Sequence, residues 1–175
     1  ANDGLPRYSE IGQFSGISNT DWSWSALLVD LDNDGLRDLY VTNGYLKDIT
    51  NMDNMTRTKE IYRMAREKDV QVNYLRLIQD LPTTKLQNYV YKNINGIKFR
   101  DMSEAWGIHE KTVSNGTAYA DFDNDGDYDI VMNNLGQIAS IIKNNQDEIQ
   151  KNNYVKLKLI GGDANTMGIG AKIWL

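Results

Sequence analysis

Two short acidic segments contain the residues best suited to chemistry. The first places aspartates at Asp30, Asp32, Asp34 and Asp38, with Gly35 directly after the third. Side chains at alternate positions of a tight loop can converge on one point, and glycine supplies the positive φ that lets the backbone wrap around it. Carboxylates held this close repel one another strongly unless a cation neutralises them. The spacing therefore predicts a metal-binding loop.

The second segment repeats this spacing, with Asp121, Asp123 and Asp125 followed by Gly126 and then Asp129. An EF-hand loop of the same opening pattern closes with a bidentate Glu at its twelfth position. Here an apolar residue stands at that position in both loops, so neither segment is an EF-hand. We expect the aspartate at the ninth position to take over the closing role.

The residue after each glycine can add a backbone carbonyl oxygen to the ligand set. It is Leu36 in the first loop and Asp127 in the second, so the Asp127 side chain has the weaker claim as a ligand. Hard oxygen donors in this number suit Ca²⁺, which takes about six to eight oxygens at roughly 2.3–2.6 Å. We expect two calcium sites, with Mg²⁺ as second choice and a solvated acidic turn without metal as the alternative. The expected ligands are Asp30, Asp32, Asp34, Leu36 and Asp38 in one loop and Asp121, Asp123, Asp125, Asp127 and Asp129 in the other.

The composition restricts the classes of protein to which the chain can belong. Its 175 residues have a net charge of −5, and the two loops contain nine of the 24 acidic residues. The 19 basic residues are scattered and form no basic stripe, so no nucleic-acid partner is expected. Cysteine is absent, which excludes disulfides and thiolate metal sites. The mean hydropathy of −0.55 and the lack of a long apolar run predict no transmembrane segment.

An internal repeat organises the chain. A shift of 91 positions aligns residues 8–45 with residues 99–136 without a gap and superimposes the two acidic loops. Short apolar runs enter and leave each loop and predict β-strands. These runs are Ala26–Val29 and Leu39–Val41 in the first repeat and Ala118–Ala120 and Ile130–Met132 in the second.

Further strands are predicted outside the aligned region. Tyr89–Lys92 and Ile97–Phe99 flank an Asn-Gly pair, which favours a hairpin with a two-residue turn. Gln137–Lys143 and Tyr154–Ile160 are further strand candidates.

Residues 46–86 interrupt the β pattern. Their apolar residues recur at helical spacing, Thr56 or Thr58 could cap the start, and Pro82 ends the segment. We expect two short helices that pack over the β surface; a helix pair that binds a partner is the alternative.

Several other residues have a functional and a structural interpretation. His109 is the only histidine and no nucleophile motif accompanies it, so we expect a surface loop residue. Trp22 and Trp24 share a face at strand spacing, and either pack in the core or rim or form a stacking platform for a sugar. Trp106 and Trp174 are expected to be packing residues.

The strings DLDNDGLRDLYVTN from Asp30 and SNGTAYADFDNDGDYDIV from Ser114 resemble FG-GAP/VCBS-type β-propeller repeats. The tail, NYVKLKLIGG from Asn153 and NTMGIGAKI from Asn165, is similar to the start of a UnbV/ASPIC domain. Together they resemble the cartilage acidic protein family, in the version found in Bacteroidetes surface and secreted proteins. That family usually has Arg where Thr166 stands.

The resemblance implies a mainly β fold, with calcium-stabilised propeller blades in a partial propeller and a small helical insertion. It divides the chain into repeats at residues 1–45 and 87–150, the helical insertion at 46–86, and a truncated UnbV/ASPIC-like start at 151–175. The implied protein is a larger propeller chain, secreted or on the cell surface, and outer-membrane associated if bacterial.

The implied role is non-catalytic: protein or glycan recognition, or structural support, in an assembly such as a glycan-uptake system. The alternative is a part of a polysaccharide-processing enzyme whose catalytic residues lie largely outside this segment. A calcium sensor is a third hypothesis. Rigid loops between strands make the large conformational change of a sensor unfavourable.

Overall fold

The chain folds mainly as antiparallel β-structure. The structure is a computed structural model that describes residues 8–149, 152 and 154–174. Within those residues the strands are β1 Ser23–Val29, β2 Asp38–Asn43, β3 Leu86–Gln87, β4 Tyr89–Asn93, β5 Phe99–Asp101, β6 Lys111–Thr112, β7 Ser114–Ala120, β8 Asp129–Asn134 and β9 Ser140–Ile142. The helices are α1 Gly12–Ser15, α2 Met52–Glu67, α3 Tyr74–Gln79 and α4 Gln146–Ile149. The predicted mainly β class is confirmed.

Three sheets contain these strands. The first has four strands in the order β1-β2-β4-β5, the second has β7-β8-β9, and a small third sheet pairs β3 with β6. Every pairing is antiparallel. In the first two sheets the strands follow one another in chain order across the sheet. The described residues form no closed ring.

The two sheets repeat each other in detail. β7 and β8 have the same bounds as β1 and β2 after a shift of 91 residues. Val29 pairs with Asp38 at the loop end of the first strand pair, and Ala120 pairs with Asp129 at the equivalent place in the second. The strands predicted on either side of each acidic loop are therefore confirmed, and both loops close the same kind of hairpin.

The main core lies between the first two sheets. It contains Tyr40 and Val90 from the first sheet and Ile130 and Met132 from the second, all buried. The Tyr40 hydroxyl reaches Met132 Sδ at 3.9 Å. Leu39 and its neighbours pack on the opposite face of β2, so this strand is buried on both sides. β1 and β7 also lie against each other, through a 2.8 Å hydrogen bond between the Ser25 and Thr117 hydroxyls.

The predicted Asn-Gly hairpin forms, but its turn is longer than expected. β4 pairs with β5 from Asn93 and Phe99 outward, which leaves residues 94–98 as the connection. The Asn93 side chain accepts from Gly96 N at 2.7 Å, and the Asn95 side chain accepts from Lys98 N at 2.8 Å. The side-chain oxygens of these two asparagines accept hydrogen bonds from N–H groups of the turn. In a tighter turn those N–H groups would bond to the opposite strand. The expectation of a two-residue turn is wrong.

The insertion at residues 46–86 contains the two expected helices, but they do not cover the sheets. No residue of α2 or α3 is buried, and Met52 and Leu75 are 70 % and 73 % exposed. The expected packing of this segment over the β surface is wrong. The two ends of the insertion are instead held together by a pair of backbone hydrogen bonds between Tyr45 and Thr84. None of the described helices is long and apolar enough to cross a membrane.

The start of α2 also differs from the expectation. Asn51, not a threonine, caps the helix, because its side chain accepts from Asp53 N at 2.9 Å and Asn54 N at 3.3 Å. Thr56 lies inside the helix and donates its hydroxyl proton to the carbonyl of Met52. An asparagine amide oxygen is among the best acceptors for this position.

The last segment has less regular structure than its sequence suggests. β9 forms within the predicted strand at 137–143 but covers three residues only. The predicted strand at 154–160 does not form: these residues have no regular secondary structure and no strand partner in the described part of the chain. Trp174 is 89 % exposed, so its expected packing role is wrong.

Candidate metal centre

Both acidic loops lie between the two long strands of their sheets and share one backbone shape. Asn33 and Gly35 have positive φ angles of 54° and 89°, and Asn124 and Gly126 have 65° and 101° at the equivalent positions. Asn and Gly are the residues that adopt this conformation at least cost. The loop therefore winds tightly in both repeats, as the spacing predicts.

Each loop gathers carboxylates around one point. In the first, an oxygen from each of Asp30, Asp32 and Asp38 lies within 4.8 Å of the others. In the second, the equivalent group consists of Asp121, Asp123 and Asp125. Asp34, Asp127 and Asp129 lie outside these groups in the described structure. Six of the eight aspartates at the first, third, fifth and ninth positions are thus brought together.

Each loop also contains a buried carboxylate oxygen that has no hydrogen-bond donor among the described residues. Asp32 is only 7 % exposed, and its Oδ1 has no hydrogen-bond donor among the described residues. Asp121 Oδ1 is buried and lacks a donor in the same way within that part of the chain. A buried carboxylate oxygen without a partner is costly. A hard divalent cation fits the all-oxygen donor set of each loop, and one ion in each loop would provide the missing partner for the buried oxygen there.

The residue after each glycine has one role in both loops. Leu36 N donates to Asp34 Oδ1 at 2.9 Å, and Asp127 N donates to Asp125 Oδ1 at 3.2 Å. The fifth-position aspartate is thereby turned toward its own loop. Asp127 is buried, whereas Leu36 is half-buried.

The ninth-position aspartates have a second role that sequence reasoning missed. Asp38 is fully buried and accepts from Leu31 N at 3.0 Å and from Asn93 N at 2.8 Å. Asp129 accepts from Phe122 N at 3.0 Å and from Asn144 N at 2.8 Å. Each carboxylate therefore joins the start of its own loop to the end of the third strand of its sheet.

The buried position of Asp38 shifts its pKa. Burial raises its pKa to about 6, against the lowering effect of the Asn93 and Leu31 N–H groups. The charges of Asp34 and Asp30 raise the pKa further. A cation in the loop would act in the opposite direction, since it favours the charged carboxylate.

A lysine lies against each loop, and this too was missed. Lys92 Nζ contacts Asp32 and lies 2.8 Å from Asp34 Oδ2. Lys143 Nζ lies 2.6 Å from Asp123 Oδ2 and 3.7 Å from Asp125 Oδ2. The sequence signal was the Lys-Asn pair at 92–93 and 143–144, which recurs after a shift of 51, not 91.

The two ion pairs are not equally exposed. The side chain of Lys143 is more exposed than that of Lys92. The hydrogen bond and charge of Lys143 hold the pKa of Asp123 below its usual value, although burial acts in the other direction. The Asp123 carboxylate in turn raises the pKa of Lys143.

The two loops are neighbours at one edge of the molecule. Asn33 Nδ2 in the first donates to Gly126 O in the second at 3.3 Å. Asn144 Nδ2 donates to Leu31 O at 2.7 Å and so links the second repeat to the first loop. Lys156, in the segment after the repeats, lies 3.2 Å from Asp121 Oδ2. The two loops therefore lie side by side, and Lys156 brings the segment after the repeats against the second loop.

The tryptophan and histidine candidates lie away from the two acidic loops. Trp22 and Trp24 are both exposed, so neither is in the core. The Trp22 ring lies 5.3 Å from the Tyr45 ring, and Trp24 Nε1 donates to Gly44 O. They stand at the end of β1 and β2 opposite the acidic loop. His109 is exposed in a surface loop, and Trp106 packs against the main core.

No family model, curated protein or solved structure matches this chain.

Proposed function

We propose that the chain is a calcium-binding β-propeller segment with a binding or structural role and no catalytic site. The buried, donor-less oxygen of Asp32 in a loop of converging carboxylates is the observation that carries the proposal. The recurrence of the arrangement in the second repeat supports it, since a chance acidic turn would not recur with equivalent strands and hydrogen bonds.

Calcium would have a structural task. The loop carboxylates, with the carbonyl oxygens after the glycines, would hold the ion. A bound ion would supply positive charge and accept oxygen ligands within the loop that connects the two long strands. The residues themselves already set the loop shape, through the two positive-φ positions and the ninth-position aspartate. The ion would relieve the mutual repulsion of the loop carboxylates.

The direct test is a melting curve in chelator and in calcium. With free Ca²⁺ at about 100 times Kd, each occupied site adds roughly 2.7 kcal/mol to folded-state stability. We expect a higher melting temperature in 2 mM CaCl₂ than in EDTA, and a smaller rise in MgCl₂. Identical melting curves in EDTA and CaCl₂, together with no heat of Ca²⁺ binding by calorimetry, would rule the proposal out.

We place the protein outside the cell or on its surface. Loops built from side-chain and backbone oxygens in extracellular modules bind calcium at about 0.1–1 mM, a concentration typical of that environment. A measured calcium affinity in that range would support this placement, and nanomolar affinity would contradict it.

The recognition role rests on the aromatic end of β1 and β2. Trp22, Trp24 and Tyr45 present partly exposed rings there, far along the strands from the acidic loop. Aromatic faces of this kind supply large contact area to an apolar face of a ligand. A glycan or protein partner would bind at this end, and calcium would stiffen the other.

A glycan array tests this role, with Trp24→Ala as the variant and Trp106→Phe as the core control. Retention that Trp24→Ala abolishes supports recognition at the aromatic end. Turnover of a retained glycan would instead show an enzyme, and retention unchanged by Trp24→Ala would place recognition elsewhere.

A further inference from the structure

A positively charged side chain is built into each acidic loop at the same place. Lys92 lies against the third- and fifth-position aspartates of the first loop, Asp32 and Asp34. Lys143 lies against the equivalent pair in the second. Lys92 is 60 residues from Asp32 and 58 residues from Asp34 in sequence, so this contact depends on the fold and not on local sequence.

The backbone fixes where these lysines lie. Each is followed by an asparagine whose N–H donates to the ninth-position aspartate at 2.8 Å, namely Asn93 to Asp38 and Asn144 to Asp129. The asparagine side chains also donate to loop carbonyls, Asn93 to Arg37 O at 2.9 Å and Asn144 to that of Tyr128 at 3.3 Å. The end of the third strand is thus clamped to the loop, and the preceding lysine is held at the loop by this clamp.

We propose that Lys92 and Lys143 are internal counter-ions that neutralise part of each loop in the absence of a divalent cation and that the cation displaces. This inference rests on the proposed calcium binding and concerns the regulation of those same sites. Each lysine then stabilises the cation-free protein and weakens calcium binding, because the cation must compete with the ammonium group for the same carboxylates.

The charges show why the lysine cannot replace the ion. The first loop contains four carboxylates, and one ammonium group leaves most of that charge uncompensated. Asp32 Oδ2 is paired with Lys92, yet Asp32 Oδ1 stays buried without a donor in the described structure. A lysine has three donors on a single tetrahedral centre, whereas Ca²⁺ accepts about six to eight oxygens around it. The ammonium group therefore holds the loop together without saturating it.

The test replaces each lysine with methionine, which keeps the length and apolar stem of the side chain and removes its charge. Removal of a unit charge a few ångströms from the divalent ion corresponds to about a tenfold gain in calcium affinity when the two charges are screened as in bulk water. For Lys92→Met and Lys143→Met we expect this gain at one site by calorimetry with CaCl₂ alone. In EDTA we expect the melting temperature of each variant to fall by a few degrees.

Two controls separate charge from packing. Lys92→Arg keeps the charge and should bind calcium with wild-type affinity. Lys111→Met removes a charge of the same kind from β6, outside both loops, and should change the affinity less than twofold. Should Lys92→Met not fold in EDTA, Lys143→Met tests the same point at the other, more exposed loop.

The outcomes distinguish this inference from the proposed function. Wild-type calcium binding together with unchanged affinity in both methionine variants overturns the counter-ion role and leaves the calcium sites standing. A lower melting temperature in EDTA without calcium binding by any form shows ordinary ion pairs, and overturns both. Tighter binding and lower cation-free stability in the same variant support the proposal.

Discussion

The backbone N–H of Asn93 donates to Asp38 Oδ1 at 2.8 Å, across 55 residues of sequence, and so ties the first acidic loop to the end of β4. Asn144 and Asp129 form the same bond in the second repeat. The ninth-position aspartate is thus part of the sheet as well as of the loop. It therefore contributes to stability in the absence of calcium as well.

The first prediction concerns this clamp. Asp38→Asn replaces a carboxylate that accepts two backbone N–H groups with an amide that can accept at only one end. A buried N–H left without its acceptor costs about 1–3 kcal/mol, so we expect a loss of roughly 2 kcal/mol. Urea unfolding in EDTA measures the loss without any calcium contribution.

Asp129→Asn is the matched variant in the second repeat and should lose a similar amount. Asp69→Asn is the charge control, because Asp69 is exposed at φ 51° and Asn tolerates that conformation. Equal unfolding midpoints for Asp38→Asn, Asp69→Asn and wild type would show that the clamp contributes nothing.

The second prediction separates the two calcium sites. Asp32→Asn removes a third-position carboxylate from one loop only, and Asp123→Asn does so in the other. Because the expected stabilisation is roughly 2.7 kcal/mol per site at saturating calcium, each variant should lose about half of the calcium-dependent rise in melting temperature. The double variant should lose nearly all of it.

Calorimetric stoichiometry provides the independent measurement. We expect two ions per wild-type chain and one per single variant. A single variant that still binds two ions, or that loses both, would show that the loops do not act as separate sites.

The repeat in the sequence was sufficient to predict much of the fold, for a clear physical reason. β1 and β2, and their equivalents β7 and β8, are short apolar runs on either side of a loop with fixed glycine and aspartate positions. The local pattern therefore determines the hairpin. The lysine and asparagine at 92–93 were missed because the helical insertion intervenes between β2 and β4 in the first repeat only. Their offset from the second copy is 51 residues, and a gapless comparison at 91 does not align them.

The other errors have tertiary causes. Apolar spacing in α2 predicts a helix but not a surface for it to cover, and its apolar residues remain exposed. The predicted strand at 154–160 has the right composition but no strand beside it in the described structure, and a strand without a partner cannot form a ladder. The position of Lys156 on the second loop likewise depends on a fold that composition does not reveal.

The third prediction concerns the tail and uses the two loop glycines as a matched pair. A Cβ at Gly126 would lie 1.9 Å from the Tyr154 ring, whereas a Cβ at Gly35 would meet nothing within 4 Å. Both residues have positive φ, so alanine at either costs roughly 1–2 kcal/mol of backbone strain. Only Gly126→Ala should also displace the tyrosine.

Limited trypsin digestion in EDTA measures this displacement, since Lys156 and Lys158 follow the tyrosine. We expect faster cleavage there in Gly126→Ala than in Gly35→Ala at matched stability. Equal cleavage rates would show that the tail does not lie on the second loop.

The last prediction is a pH dependence at the base of the insertion. Asp48 is buried, and its Oδ1 accepts from Thr50 N at 3.1 Å and Asn51 N at 3.0 Å, while Oδ2 accepts from the Thr84 hydroxyl at 3.4 Å. Burial acts to raise its pKa, but these hydrogen bonds outweigh burial and lower the pKa below its usual value. The bonds favour the charged form in the folded state.

A carboxyl group with a lowered folded pKa contributes stability above its unfolded pKa of about 4, and that contribution is lost as the pH falls through the folded pKa. Asp48→Asn should therefore be less stable than wild type at pH 7, and the difference between the two should shrink below about pH 4. Urea unfolding of both proteins in EDTA at pH 7, 5 and 3.5 gives the comparison, in which the titration of other groups cancels. A difference that stays constant from pH 7 to 3.5 would show that the carboxylate charge of Asp48 does not fasten the insertion to the sheet.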